Sequence, residues 1–353
     1  MDLSQRKYPY KKPAGHVPPI PRWQIEFKSP WTALHVVYLG IQCHDAAGRA
    51  ACDALAAAMP QALTAGANRP YAFDPFEILM GGDIPASRIW VAYWIDEARC
   101  TAWMEENAPH ALLAKAGAAA THVGVWSEYF SIRPGRLETN YSGLDYIPGL
   151  ARHPEAYTVA HEHTAYWGAA RDRIKDSGHD LFEDRFDPAS VKVVPAGRGQ
   201  RVTGTPFQNM VHIRSGQFWE NCVPVERNAY ETRLQPTLVN GMRYLWDNAV
   251  ATGTFGLRYV NTLDSSGRKL LETAGIGFYR SLGHLEHWAA THPSHLAIFH
   301  GAIAHANEFG TSRKMRTWHE VGVLNEGEGS FEYLNCHPNT GVMPFLPMTV
   351  EGL

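Results

Sequence analysis

Apolar and polar positions along this chain repeat with two periods, and the changes of period lay out its elements. Residues 32–43 (TALHVVYLGIQC) carry a run of β-branched and aromatic side chains that predicts a strand. The alanine-rich stretch 45–63 predicts a helix ending near Pro60. A strand is expected over 88–95 (RIWVAYWI), a helix over 96–107 with Asp96 as N-cap, and another strand over 121–132. Residues 133–205 break the rhythm and concentrate Pro, Gly and charge, with short elements such as 163–174. The rhythm then returns. A strand over 208–216 leads into a long helix over 225–248 with Pro236 inside it, and a hairpin flanks the turn DSSGRK. A helix over 281–292, the histidine-rich stretch after it, and strands over 315–324 and 329–337 complete the pattern. Residues 1–30 read as a coil arm lying over the body.

Two segments of the chain resemble each other. Residues 91–110 align with 276–295 at one constant offset, which puts Trp103 on Trp288 and His110 on His295. At a slightly larger offset Trp126 falls on Trp318 and Ser127 on His319. Each half then reads strand–helix–strand–strand–helix–strand, the ferredoxin-like or split βαβ pattern. Two such units side by side predict a single α+β domain over 31–353: an elliptical β-barrel flanked by helices. Its pseudo-repeats cover about 31–132 and 206–345, and the connection 133–205 carries part of the site. A parallel doubly wound fold is disfavoured, because no Gly-rich phosphate loop follows any strand.

Composition narrows the functional classes. The chain has 353 residues, 45% hydrophobic and 19% charged, which fits a globular protein with a large core. A net charge of -3 gives no basic excess for nucleic acid or an anionic membrane surface. Five scattered cysteines without a C-x-x-C indicate neither a zinc knuckle nor a disulfide framework, and a reducing compartment is the expectation. The N-terminal stretch is polar, basic and proline-rich without the apolar core of a secretory signal. No apolar run is long enough to span a bilayer. A cytoplasmic protein is expected. The unusual counts are 18 histidines and 11 tryptophans, a mixture that suits a lined cofactor pocket as well as ordinary packing.

The candidate chemistry sits in a few short motifs. THPSHLAIFHGAIAH (291–305) holds four histidines and no Lys, Arg, Asp or Glu. Pro293 suits the first helical position and Ser294 the first turn. At 100° per residue His292 and His295 lie about 60° apart around the helix, whereas His305 points elsewhere, so the four cannot share one metal. One axial imidazole is all that a haem iron needs. A haem ligand, another metal and hydrogen-bonded core histidines all remain open on these residues alone. In TWHEV, alternation puts His319 on the opposite face from Trp318 and Glu320. If that face is the barrel interior, His319 is an imidazole in an apolar pocket, able to act as acid and base. In HIRSGQFW, Ser215 and Arg214 face opposite ways, and no G-x-S-x-G elbow makes Ser215 a hydrolase nucleophile. RDR (171–173) offers a buried cation and LETNY offers Glu138 as its partner. HEH (161–163) lacks the zincin spacing.

Taken as an ordered set, YWGAARDR, IRSGQFW, HPSHLAIF, WHEV and FEYLNCHPNTG resemble the bacterial aldoxime dehydratases, haem enzymes that turn aldoximes into nitriles. The resemblance runs from about residue 30 onward. It implies an elliptical α+β barrel of two ferredoxin-like units around haem b, usually in a homodimer. It also implies that His295 is the proximal haem ligand, His319 the distal acid–base, Ser215 the distal hydroxyl, and Arg173 with Glu138 the pair that holds the distal pocket. The implied reaction is R–CH=N–OH to R–C≡N plus water, with ferrous iron taking the oxime nitrogen. Flavin is an accessory electron source in some members. One departure is visible: the stretch between His295 and His319 looks a few residues longer here, near NEFGTS. Rival readings are a haem peroxidase or chlorite-decomposing enzyme on the same barrel, and a non-enzymatic haem-binding protein.

Overall fold

A computed structural model describes residues 6–353. The chain enters through β1 (Trp23–Phe27). The first unit follows: β2 (Leu34–Cys43), α1 (Arg49–Thr64), β3 (Ala72–Gly81), β4 (Arg88–Trp94), α2 (Glu97–Glu106), α3 (Pro109–Lys115) and β5 (Val123–Ile132). The connection carries β6 (Leu137–Tyr141), β7 (Ala156–Ala160), α4 (Ala169–Arg173) and β8 (Gln200–Gly204). The second unit comprises β9 (Val211–Phe218), α5 (Pro224–Ala229), α6 (Gln235–Asp247), α7 (Ala249–Thr252), β10 (Thr254–Leu263) and β11 (Lys269–Tyr279). It closes with α8 (Leu282–Thr291), α9 (Pro293–Phe309) and β12 (Arg316–Val323). Strands β13 (Gly329–Leu334) and β14 (Thr349–Gly352) follow.

Among the described residues the strands form one 14-stranded sheet in the order β14-β8-β13-β5-β2-β4-β3-β10-β11-β9-β12-β6-β1-β7. The first unit contributes β5-β2-β4-β3 and the second β10-β11-β9-β12, which is the same fourth–first–third–second order read backwards. They join edge to edge where β3 pairs with β10. The hydrogen-bonded ladder is open, ending at β14 on one side and β7 on the other. The sheet nevertheless curls until distant strands meet across its inner face. Tyr93 on β4 donates to Glu320 on β12 at 2.8 Å, and Phe130 on β5 packs edge-on to Phe278 on β11.

Several local readings also change. The arm is not all coil, because β1 pairs with β6 and β7. Strand β3 escaped sequence reading because Asp74, Pro75 and Glu77 dilute its apolar pattern. Pro75 is tolerated since it pairs with Trp90 of β4 just beyond the last β10 partner, Phe76. Helix α1 runs past Pro60 to Thr64. The long helix expected over 225–248 is broken into α5, a π-turn over Tyr230–Leu234, and α6, with Pro236 in the first turn of α6. Proline has no N–H to donate back and crowds the preceding carbonyls, so the ladder shifts register there.

The inner face is pinned twice by the same device. Trp126 on β5 lies directly opposite Gly40 on β2, and Trp318 on β12 directly opposite Gly216 on β9. A Cβ at Gly40 would stand 2.1 Å from the Trp126 ring, and one at Gly216 2.2 Å from the Trp318 ring. Arginines stack on the two indoles: Arg258 at 4.0 Å over Trp126 and Arg214 at 4.6 Å over Trp318. Arg258 is then held by Glu128 and Asp83, and Arg214 by Asp74, each at 2.7 Å.

These contacts predict that Gly40→Ala and Gly216→Ala each lower stability by about 1–3 kcal/mol through overpacking. Gly283→Ala, whose methyl would meet only Ser281 Oγ at 3.5 Å, should be neutral or stabilising. Urea melts of the three variants beside the parent check both statements.

Candidate active site

Strands β9, β12 and β6 lie side by side, and their register sets one wall of a cavity. His319 on β12 stands opposite Ser215 on β9 and opposite Asn140 on β6, so the three form a row across the sheet. Glu138, two residues before Asn140 on the same face, stands opposite Val321. All four face outward. The notion that His319 points into the interior is therefore corrected: Trp318 and Glu320 take the inner face, and His319 looks toward the helices. The reason is the pinned indole, which fixes the phase of the alternation.

Arg173 comes from the short helix α4, which the chain enters through Gly168 at φ 94. Its Nε and Nη2 donate to the Glu138 carboxylate at 2.8 and 3.1 Å, and Nη1 donates to the His163 carbonyl at 2.6 Å. Arg173 Nη2 also lies 2.9 Å, and Glu138 Oε1 3.1 Å, from His319 Nε2. Burial alone would raise the Glu138 carboxyl, but the charges of Arg173 and His319 outweigh it and hold it at about 2. Next to Arg173, Asp172 accepts from the backbone N–H groups of Lys11 and Lys12, both at 3.0 Å, and so straps the N-terminal arm across the site. Arg171 points away from this wall and clamps Glu286 on α8 at 2.8 Å.

Helices α8 and α9 make the opposite wall. His292 caps α9 by accepting from the Ser294 N–H, and Pro293 takes the first turn, where its missing N–H costs nothing. His295 then faces the cavity. Its Nδ1–H donates to the Ala289 carbonyl at 2.7 Å, and its ring packs edge-on to Trp288. Burial, aided by the His319 charge and opposed by the Ala289 bond, lowers its pKa below the usual histidine value. The remaining histidines of the stretch serve the helix. His292 stacks on Tyr244 at 3.7 Å, and His305 accepts from Arg313 Nε at 3.2 Å.

The cavity between the walls has a volume of about 380 Å³, within the roughly 300–1,000 Å³ of small-molecule sites. Ser215, His319, Arg173, Glu138 and His295 all line it, with apolar walls from Ile213, Leu238, Met242, Leu257, Trp288 and Phe299. Three further lining residues escaped sequence reasoning: Asn140, Arg22 and Arg313. Asn140 was legible, since it lies two positions from Glu138 on one strand face. Its Oδ1 is 3.2 Å from His161 Nε2, so the HEH segment braces the site. Arg22 sits in the arm and Arg313 in a loop, and nothing in local pattern marks either.

The sequence profile of the haem-containing dehydratases matches residues 37–342. The chain belongs to that family. An aliphatic aldoxime dehydratase of Pseudomonas chlororaphis is 30% identical over 333 residues, covering 94% of this chain and 92% of the relative. A phenylacetaldoxime dehydratase of a Bacillus species is 30% identical over 285 residues, covering 76% and 77%. A crystal structure of an aldoxime dehydratase in complex with butyraldoxime superposes with a TM-score of 0.83 at 28% identity, covering 96% of this chain and 92% of the other. The cavity suits the haem that gives the dehydratase family its name. One imidazole has its Nδ1 committed to a backbone carbonyl, which fixes the tautomer that leaves Nε2 free as a metal ligand. The wall around it is apolar and broad.

Glu138 supplies a pH prediction for this dehydratase. Its folded pKa lies below the ordinary 4.5, so its ion pairs stabilise the protein above that pH, and the contribution is lost as pH falls toward about 2. Glu138→Gln should thus be less stable than the parent by a constant margin at neutral pH. The margin should narrow between pH 4.5 and 2 in thermal melts taken across that range.

Proposed function

We propose that this dehydratase converts aldoximes to nitriles, with His295 as the axial haem ligand and the row Ser215–His319 as the acid–base wall. The observation that carries this reading is the single cavity bounded by a free imidazole Nε2 on one side and a serine beside an ion-paired histidine on the other. Haem, when bound, supplies an iron that takes the oxime nitrogen and weakens the N–O bond. The rest is the work of side chains.

Ser215 lines the cavity beside His319, and its Oγ donates to the oxime hydroxyl and orients it. His319 carries the proton. His319 Nε2 is taken up by Arg173 Nη2 at 2.9 Å and Glu138 Oε1 at 3.1 Å, which leaves Nδ1 for the substrate. Charged His319 gives its Nδ1 proton to the hydroxyl, which departs as water, and the bare Nδ1 then takes the proton from the oxime carbon. The imidazolium is restored and no proton is gained or lost. Glu138 stays beside Nε2 throughout, and Arg173 fixes Glu138 with two hydrogen bonds. The apolar walls take the R group and exclude water. The set Glu138–Arg173–Ser215–His319 is more than a haem carrier needs, and the likeness to aldoxime dehydratases favours this chemistry over a peroxidase.

We read the curled sheet as the elliptical barrel of the family, in one domain over 31–353 with its repeats at about 31–132 and 206–345. The matching strand orders of the two units support this. A homodimer is inferred from the family resemblance, and a cytoplasmic setting from the five free cysteines. No helix among the described residues is long and apolar enough to cross a membrane.

The test is an anaerobic absorption spectrum of reduced, haem-replete protein before and after an aldoxime such as phenylacetaldoxime is added. The Soret band should shift and return as nitrile accumulates; a band indifferent to aldoxime overturns the reading. His295→Ala should lose most of its haem. His319→Ala should keep haem and the aldoxime-induced shift, yet turn over about 10²–10⁴-fold more slowly. Normal turnover in that variant would remove His319 from the acid–base role.

A further inference from the structure

Two of the charges lining the cavity form no ion pair among the described residues. The cavity's carboxylates are both occupied: Glu138 by Arg173, and Glu286 by Arg171 with Lys11 nearby. Arg22 and Arg313 line the same cavity, and among the described residues neither forms an ion pair. Arg22 donates only to the neighbouring Pro21 carbonyl, at 3.0 Å. Arg313 is buried, with 7% of its surface exposed, and spends its donors on soft partners: His305 Nδ1 at 3.2 Å and Met315 sulfur at 3.0 Å. The carboxylate on its far side, Glu226, is engaged by the backbone N–H groups of Lys314 and Met315 at 2.8–3.0 Å. Neighbouring Arg316 is paired with Asp145. Burial pulls both guanidinium groups down to about 10, with Arg313 adding to the effect on Arg22 and Arg316 to that on Arg313, where nearby Glu226 offsets only part of it. Cations held apart from anions, partly out of water and beside one another, are unfavourable unless an incoming anion completes them.

We propose that Arg22 and Arg313 form a dicarboxylate site, and that its ligand is the propionate edge of the haem. Two carboxylates on one rigid, largely apolar molecule match two cations that line a cavity with broad apolar walls. An arginine fork takes a carboxylate through paired hydrogen bonds. Arg22 belongs to the arm that Asp172 straps over the cavity, so the same contact that positions the arm brings one of the two cations into place. The site places the arm among the cofactor-holding elements and gives Arg313, in the loop between α9 and β12, a role separate from catalysis. The inference rests on the haem reading of His295, and a carboxylate could also come from an acidic substrate, so the experiment has arms for each.

The first arm follows haem transfer from holoprotein to excess apomyoglobin by absorbance. Arg22→Gln and Arg313→Gln should each release haem about tenfold faster or more, as expected for a lost charge-assisted contact, and Arg22→Lys should recover part of the retention. The second arm needs no substitution. The parent protein should hold haem b at least about tenfold more tightly than haem dimethyl ester, and Arg22→Gln should narrow that preference. Equal retention of haem and its dimethyl ester by the parent overturns the proposal, whatever the fate of the variants. Equal retention paired with arginine-dependent binding of glyoxylate oxime also overturns it, and assigns the site to substrate. A parent that binds neither porphyrin defeats the haem reading beneath the proposal, an outcome distinct from both.

Discussion

The phase of strand β12 is the constraint on which the site depends. Trp318 lies over Gly216 with no room for a side chain beneath it, and Glu320 reaches Tyr93 across the curled sheet. Because strand side chains alternate with period two, fixing these two residues inward forces His319 outward. A slip by one residue would bury His319 among indoles and turn Trp318 toward the haem cavity. The register with β9 and β6 then brings Ser215 and Asn140 alongside His319, and Glu138 within reach of its ring.

The two faces of the sheet divide the work. The inner face carries charge in closed sets: Arg258 with Glu128 and Asp83, and Arg214 with Asp74 and the Tyr93 hydroxyl. Such sets are costly to break and fix relative placement. The outer face carries reactive groups whose partners are incomplete. His295 has a committed Nδ1, and among the described residues Arg22 and Arg313 form no ion pair. An interior fixed by ion pairs and stacked indoles thus holds the outer-face groups in position, which is the condition for preorganised chemistry.

The two units use their shared plan unequally. Trp126 and Glu128 on β5 repeat Trp318 and Glu320 on β12, but the residue between them is Ser127 where the second unit has His319. Likewise His110 begins α3 where His295 begins α9. The inward anchors are kept in both units, while the imidazole of His319 stands in one. The connection between the units supplies what the second lacks on its own, since Glu138 and Arg173 both come from it.

Much of this was legible in the chain alone. The period-two strands and the internal repeat indicated two split βαβ units, and the ordered motifs carried the resemblance to haem-dependent dehydratases. His295, His319, Ser215, Glu138 and Arg173 could all be named because they sit in short motifs whose meaning is local. Local pattern failed where the meaning is not local. The sheet's open ladder depends on which strands pair at its edges, and β3 with its Asp74 and Pro75 makes sense only between β4 and β10. That His319 faces the helices was decided by an indole and a glycine about a hundred residues apart in sequence. Arg22 and Arg313 lie nearly three hundred residues apart, and a charge declares itself unpaired only when everything around it is in place. Alternation and propensity act between near neighbours and are written in the sequence; pairing, facing and the absence of a counter-charge belong to the assembled fold.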